Sequence, residues 1–417
     1  MSRRARVIGA GMAGLSAAVE LARAGFAVSI SESAAQAGGR CRSYHDPQLG
    51  RVIDNGNHLV LSGNDAVEHF LATIGAGDRL AGPDDAEFAF ADRRTGERWS
   101  FRPNEGRLPW WIFSKARRVP GTRARDYLRL AGLTSSRTGQ TVADRIDTGG
   151  LLWERLLEPV LLAALNTAPQ DGDATLTAAI INQTLGRGGR AMKPRIAEPT
   201  LAAAFVDPAT EWLAAHGASL TLGKRLRAIG FKGDRVTTLD FGSGAEAVAP
   251  DETVVLAVPP WIAETLVPDL IVPFDFRAIV NAHFAFAPPP GTSPMVGVIG
   301  GAAEWIFAFH DRLSVTVSGA DRLIDADRAE LAAAFWADIA AIHNLPPELP
   351  RWQIVKEKRA TFAATPAQER RRPPSRTRWR NLFLAGDWTQ TGLPATIEGA
   401  LRSGATAARL ARDARLV

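Results

Sequence analysis

The spacing of apolar positions changes several times along the chain, and each change marks an element. Residues 5–8 are a short apolar run that stops at Gly9, which predicts a strand. Met12, Leu15, Ala18, Val19 and Ala22 then recur at three- and four-residue steps. That stripe predicts a helix over 12–24, ended by Gly25. Phe26, Val28 and Ile30 alternate as a second strand closed by Glu32. The chain therefore opens as a βαβ unit. Helical spacing returns over 150–166, 174–185 and 325–343, and over 200–215 with an interruption near Pro208. Strand-like runs fill 219–258 and recur within 281–318 as MVGVIG, WIFAFH and LSVTVSG. A Pro- and Arg-rich stretch over 366–380 reads as surface loop. NLFLAGD is the last strand, and it leads into a helix from about 395 to 412.

Length and composition narrow the class. A chain of 417 residues is too long for one ordinary core and points to two intertwined domains. Its 46% hydrophobic and 22% charged content suits a soluble globular protein. The single cysteine, Cys41, excludes an intrachain disulfide framework and a cysteine zinc site. It is expected to be a small packed side chain in a reducing compartment. No metal site is expected. No apolar core follows the first arginines, and no run approaches about 18 apolar residues. The expected location is the cytoplasm, with peripheral membrane contact left open. Net charge is only +5 but is concentrated in 115–129 and 356–380. Taken alone, both stretches read as solvated surface. No nucleic-acid recognition motif accompanies them, so nucleic acid is not an expected partner.

The first candidate site is Gly9-Ala10-Gly11-Met12-Ala13-Gly14, a GxGxxG between strand and helix. Gly9 suits the tight turn, Gly11 lets backbone approach a pyrophosphate, and Gly14 allows close helix packing. The helix start, with Met12 and Ala13, offers free N–H groups to phosphates. Glu32 and Ser33 stand at the end of the second strand. A carboxylate there accepts from both ribose hydroxyls and disfavours a 2′-phosphate. This much predicts a dinucleotide and leaves NAD and FAD open. Gly38-Gly39-Arg40 follows; the glycine pair permits close passage, and Arg40 suits a diphosphate.

Together with Asp54-Asn55-Gly56 and a terminal Gly386-Asp387, these motifs resemble the FAD-binding amine oxidase and phytoene desaturase superfamily. The resemblance covers essentially the whole chain. It implies an α/β fold in which a discontinuous Rossmann-like FAD-binding domain carries an inserted mixed α+β substrate domain. The implied division is 1–65, 196–260 and 379–417 for FAD, with 66–195 and 261–378 for substrate. It also implies roles for single residues. Gly9, Gly11 and Gly14 surround the pyrophosphate, Glu32 the adenosine ribose, and Arg40 the diphosphate. Asn57 and His58 lie near the flavin ring, and the Leu226 backbone meets adenine. Gly386 and Asp387 approach the ribityl–phosphate region. Thr396 and Ile397 turn N–H groups toward the flavin pyrimidine end, where reduced flavin is negative.

ALNTAPQ (164–170), TLGRGG (184–189), FVDPATEWLAAHGASL (205–220) and GDWTQTGLPATIEGALRSG (386–404) narrow the resemblance to its squalene-associated branch. That branch, the hydroxysqualene dehydroxylases, implies reductive removal of an allylic hydroxyl from a C30 isoprenoid in squalene and hopanoid synthesis. Two departures are Asn57, where glutamine is more usual, and DGDA at 171–174. The chemistry needs an acid, and His58 and Asn166 are the candidates. The reductant of the flavin is not written in any second dinucleotide motif. Aromatics beside cations within 108–129 suit a membrane interface. The alternatives are a carotenoid or phytoene-type desaturase and a flavin amine oxidase.

Overall fold

The structure is a computed structural model that describes residues 3–414. Residues 1, 2 and 415–417, at the ends of the first and last expected segments, lie outside the described residues. The first sheet is wholly parallel. Its order is Ser219–Thr221, Ala27–Ser31, Arg4–Ile8, Thr253–Leu256 and Leu382–Leu384. Strands far apart in sequence thus lie side by side, and the strands Thr253–Leu256 and Leu382–Leu384 are buried along their whole length. The helices Met12–Arg23 and Ile397–Asp413 pack against one another on this sheet. Gly404 permits the approach, because a Cβ there would run into the Ala13 carbonyl and the Ser16 side chain.

A mixed seven-stranded sheet stands beside it. Its order is Trp352–Phe362, Phe276–Phe284, Leu313–Val317, Trp305–Ala308, Met295–Ile299, Phe88–Asp92 and Arg98–Phe101. Every pairing is antiparallel except that of Met295–Ile299 with Phe88–Asp92. One face packs on the helix Arg328–His343, whose N-terminus is capped by Asp327 accepting from Ala329 N and Glu330 N. The opposite face meets an aromatic and leucine-rich core that includes Trp153, Leu157, Leu161 and Leu165.

Three expectations need correction. The 200–215 helix is not interrupted at Pro208. It widens to a π-type turn over Ala202–Val206 and continues as Asp207–Ala215. Trp153–Leu157 does the same just ahead of Pro159. A wider turn relieves the clash between the proline ring and the preceding carbonyls. Second, the basic stretch 356–380 is not simply solvated, because its first part lies in the strand Trp352–Phe362. Third, 366–380 is not a free loop. Arg372 is fully buried, paired with Glu369 at 2.6 Å and set over the Phe362 ring. It donates to Asp387 O at 3.0 Å and Thr391 Oγ1 at 2.6 Å. A buried guanidinium needs such partners, and these tie the Arg-rich stretch to the Gly386 loop.

Candidate active site

The glycine turn is built as the spacing predicts. Gly9 has φ +106°, open to glycine at little cost, and a Cβ on Gly14 would run into the Gly9 carbonyl. Gly11 is different. Its φ is −78°, and a Cβ there would find no protein atom nearer than Gly39 Cα at 4.0 Å. Nothing in the protein's own packing therefore demands glycine at 11, whereas close approach by a ligand does. No side chain caps the helix at Gly11, so the N–H groups of its first turn, at Met12 and Ala13, are not used within the helix. The second glycine pair faces this turn, with Gly38 N donating to Ala10 O at 2.8 Å.

Glu32 is drawn into the same cradle. Its carboxylate accepts from Ala10 N at 2.7 Å, Ala34 N at 2.8 Å and Ser33 Oγ at 3.2 Å. A carboxylate has about four acceptor sites, so capacity remains for a hydroxyl. Leu226 buries its side chain in the neighbouring core, and Arg227 N is bonded to Asp240 O. Arg40 reaches across to the other end of the chain. It pairs with Asp387 at 2.6 Å and donates to Ala360 O at 2.6 Å. The structure thus sets the Arg40 guanidinium on Asp387, bringing together two residues 347 apart in sequence. Gly386 N donates to Ser403 Oγ at 2.7 Å. Thr396 caps the last helix by accepting from Gly399 N at 3.0 Å, and Ile397 is that helix's first residue. Burial pushes the Cys41 thiol up to about 12, against the Arg40 charge, so Cys41 is an inert packed group.

The two candidate acids come out differently. His58 Nδ1 meets Gly56 O at 3.0 Å; a carbonyl only accepts, so the neutral ring donates from Nδ1. Burial holds its pKa below the ordinary value, against the raising effect of that bond, and the Arg40 charge lowers it further. His58 is therefore neutral near pH 7, with Nε2 an acceptor rather than a proton source. Asn166 has φ +48° and ends the helix Glu158–Leu165. Its Oδ1 accepts from Gly319 N at 2.6 Å, and its Nδ2 donates to Thr361 Oγ1 at 2.9 Å and Arg277 O at 3.3 Å. With both amide hydrogens used on protein, Asn166 pins a helix end to the seven-stranded sheet and has no free donor for substrate.

Sequence reasoning missed what lies opposite. One rung crosses the seven-stranded sheet as Val355, Asn281, Thr316, Trp305, Gly297, Phe90 and Trp99. Its polar part engages the 56–58 loop. Asn57 N donates to Asn281 Oδ1 at 3.3 Å, and Asn57 Nδ2 to Thr316 Oγ1 at 3.1 Å. Its aromatic part is closed by Gly297, where a Cβ would stand 2.6 Å from the Phe90 ring. Phe90 stacks on Trp99 and meets Trp305 edge-on, both at 5.6 Å. The polar surface beside Arg40 and Asn57 thus passes directly into an apolar wall. Only period-2 alternation in each strand could have hinted at this rung, and sequence does not supply the register.

Comparison with known proteins decides the family. The model for "Flavin containing amine oxidoreductase" matches residues 12–411. A hydroxysqualene dehydroxylase from Rhodopseudomonas palustris is 53% identical over 412 residues, 98% of each chain. Another from Sinorhizobium fredii is 50% identical over 411 residues, 99% of each. The chain belongs to the hydroxysqualene dehydroxylases, within the flavin-containing amine oxidoreductases. Among solved structures, cyclohexylamine oxidase from Brevibacterium oxydans shares the fold, with a TM-score of 0.70 at 15% identity over 99% of each chain. In this family the cofactor of the chain is FAD. The cradle fits such a dinucleotide: Gly11 is open where a pyrophosphate needs room, and Glu32 retains acceptor sites for ribose. The α/β fold class read from the sequence is the one observed.

Proposed function

We propose that this protein reduces hydroxysqualene to squalene. The observation that carries this reading is its 53% identity, over 98% of both chains, to a relative of that name. The aromatic wall beside the cradle suits a C30 isoprenoid, since an apolar chain gains about 25 cal/mol for each Å² it buries. FAD, when bound and reduced, supplies the hydride. Replacing the allylic C–OH by C–H in this way would consume that hydride and one proton, the proton drawn from solvent, and would release the hydroxyl as water.

On this reading the residues divide by place. Gly9, Gly11, Met12, Ala13, Gly14, Glu32, Ser33, Gly39 and Leu226 serve the adenosine diphosphate half. Arg40, Asn57, His58, Gly386, Asp387, Thr396 and Ile397 serve the flavin half. His58 orients and accepts through Nε2 rather than donating a proton. The domain division is the one the sequence implies, with the parallel sheet as the FAD-binding part and the seven-stranded sheet in the substrate part. The reductant is an external two-electron donor of unassigned identity. The protein works in the cytoplasm against a lipid surface, which it meets through residues 108–129.

Anaerobic incubation of the holoenzyme with hydroxysqualene and dithionite, followed by product analysis, tests the reading. Squalene is expected. Return of unchanged alcohol from enzyme shown to carry reduced flavin would sink it.

A further inference from the structure

The 56–58 loop rests on a polar pair set in an apolar sheet. Asn281 and Thr316 face each other in direct register on the strands Phe276–Phe284 and Leu313–Val317, and both are buried. Their strand neighbours Val280, Ala282, Val315 and Val317 turn to the opposite face, into the apolar core shared with the helix Arg328–His343. Two buried polar side chains cost free energy unless each finds a partner. Here the partners are the other member of the pair and the loop itself.

One backbone group fixes the direction of every bond. Asn57 N–H only donates, so the Asn281 atom it meets at 3.3 Å is an acceptor, Oδ1. The Thr316 hydroxyl lies 2.8 Å from that same oxygen and gives its hydrogen there. Thr316 Oγ1 is then left to accept, and it does so from Asn57 Nδ2 at 3.1 Å. The circuit closes with each group in a single orientation. Gly56 lies against it, since a Cβ there would stand 2.8 Å from Asn281 Nδ2. The next bond runs from Gly56 to His58, whose Nδ1 donates to the Gly56 carbonyl at 3.0 Å. That bond decides which nitrogen of the imidazole carries the hydrogen. The Arg40 charge acts on the same imidazole, so this chain of bonds ends at the cradle.

We infer that Asn281 and Thr316 are positioning residues for His58: they hold the Gly56–Asn57 backbone against the sheet, and the Gly56 carbonyl in turn holds the imidazole with Nδ1 protonated and Nε2 an acceptor. The inference rests on the proposed place of His58 in the flavin half of the cradle and deepens it. Loss of the circuit frees the Gly56 carbonyl to move, and the imidazole then loses both its fixed place and its fixed tautomer. The substrate domain thereby sets a group of the FAD-binding domain through two side chains of its central strands.

The test is a double-mutant cycle on holoenzyme between His58→Ala and Thr316→Val, which keeps the shape of the side chain and removes its hydroxyl. Two readouts are taken: the reduction potential of the bound flavin, and kcat and KM for hydroxysqualene with dithionite as reductant. Thr316→Val is expected to move the potential in the same direction as His58→Ala. It should lower kcat about fivefold or more with KM within about twofold. In the His58→Ala background it should lower kcat less than about twofold and shift the potential no further. Thr316→Ser restores the hydroxyl and should return kcat to within about twofold of wild type and the potential to its wild-type value. Melting temperature and flavin content report folding, and if Thr316→Val does not hold flavin, Asn281→Leu takes its place in the cycle. Effects that add fully to those of His58→Ala, or that Thr316→Ser fails to rescue, overturn the positioning role. A His58→Ala enzyme with wild-type potential and kcat also overturns it. Failure of wild type to convert hydroxysqualene removes the proposed reaction alone, and the cycle on flavin potential still decides the role of the pair.

Discussion

Gly11 and Gly14 look alike in a motif and do different jobs in the structure. A Cβ on Gly14 collides with the backbone at Gly9, and backbone cannot move aside without opening the turn. A Cβ on Gly11 meets only Gly39 Cα, at 4.0 Å. Gly14→Ala is therefore expected to damage the fold itself, lowering the melting temperature of the apoprotein. Gly11→Ala is expected to leave apoprotein melting within about 1–2 °C, because exposed or uncrowded substitutions change stability by only about 0.5 kcal/mol. Its FAD affinity should fall at least about tenfold, since the methyl occupies the approach to the pyrophosphate. Parallel melting curves and FAD titrations separate the two outcomes. A Gly11→Ala protein that binds FAD as tightly as wild type would contradict the cradle drawn here.

At the scale of elements, the best-resolved parts of the sequence are local ones. The strand, turn and helix over residues 4–23 follow from spacing within twenty positions, and the last helix follows from the Thr396 cap and its stripe. The strands Phe88–Asp92 and Arg98–Phe101 carry no comparable signal, and the strand Trp352–Phe362 is masked by its charges. The rung from Val355 to Trp99 is less legible still, because register is set by pairing between distant strands. Two elements are held by carboxylates that no motif announces. Glu398, buried in the first turn of the last helix, accepts from Ala66 N and Val67 N, both at 3.0 Å, at the start of the helix Asp65–Thr73. Glu398→Ala leaves those N–H groups unpaired and should cost about 1–3 kcal/mol, read by chemical denaturation. Glu304 accepts from Ser318 N at 2.7 Å beside the Asn166–Gly319 contact. Burial raises its pKa from 4.5 to about 7, against the lowering effects of that N–H and of Arg322. The folded protein then holds this proton more tightly than the unfolded chain. Its contribution to stability is present below pH 4.5 and is lost as the pH rises to about 7. Glu304→Gln carries no such charge, so its melting temperature relative to wild type should climb across that window. A constant difference would place the Glu304 titration elsewhere.

For the whole molecule, the question is how a water-insoluble substrate reaches a buried wall. Among the described residues no helix is long and apolar enough to cross a membrane. The segment Trp110–Phe113 is split by its short helical turn. Trp111 and Ile112 turn inward, and Trp111 meets Phe101 and Tyr127 edge-on, both at 5.0 Å. Leu108, Trp110 and Phe113 turn outward, 80%, 54% and 73% exposed. Arg117 lies over the Trp110 ring at 5.0 Å, and Lys115 and Arg118 follow closely in the chain. A cavity of about 710 Å³ opens here, lined by Leu108 and Trp110 together with Arg102, Arg107 and Arg117 and with the acids Asp85, Glu87 and Glu105. Leu108, Trp110 and Phe113, with Lys115, Arg117 and Arg118 close by, suit the interface of an anionic bilayer, where each basic residue adds about 1 kcal/mol and each nearby acid offsets part of that attraction. The inward rings join the same aromatic core as Phe90 and Trp305, so this surface is continuous with the wall beside the cradle. Flotation with phosphatidylcholine vesicles, with and without phosphatidylglycerol, measures the contact. Wild type is expected to float with the anionic vesicles and to be released by high salt, as screening removes the charge attraction. The triple variant Leu108→Ser, Trp110→Ser, Phe113→Ser should lose at least about tenfold in vesicle binding, because each side chain contributes roughly 1.5–3 kcal/mol when buried. Its turnover of detergent-dispersed substrate should stay near wild type, since none of the three reaches the flavin cradle. Wild type that remains at the bottom of the gradient with anionic vesicles would end the membrane reading and leave the aromatic surface to some other partner.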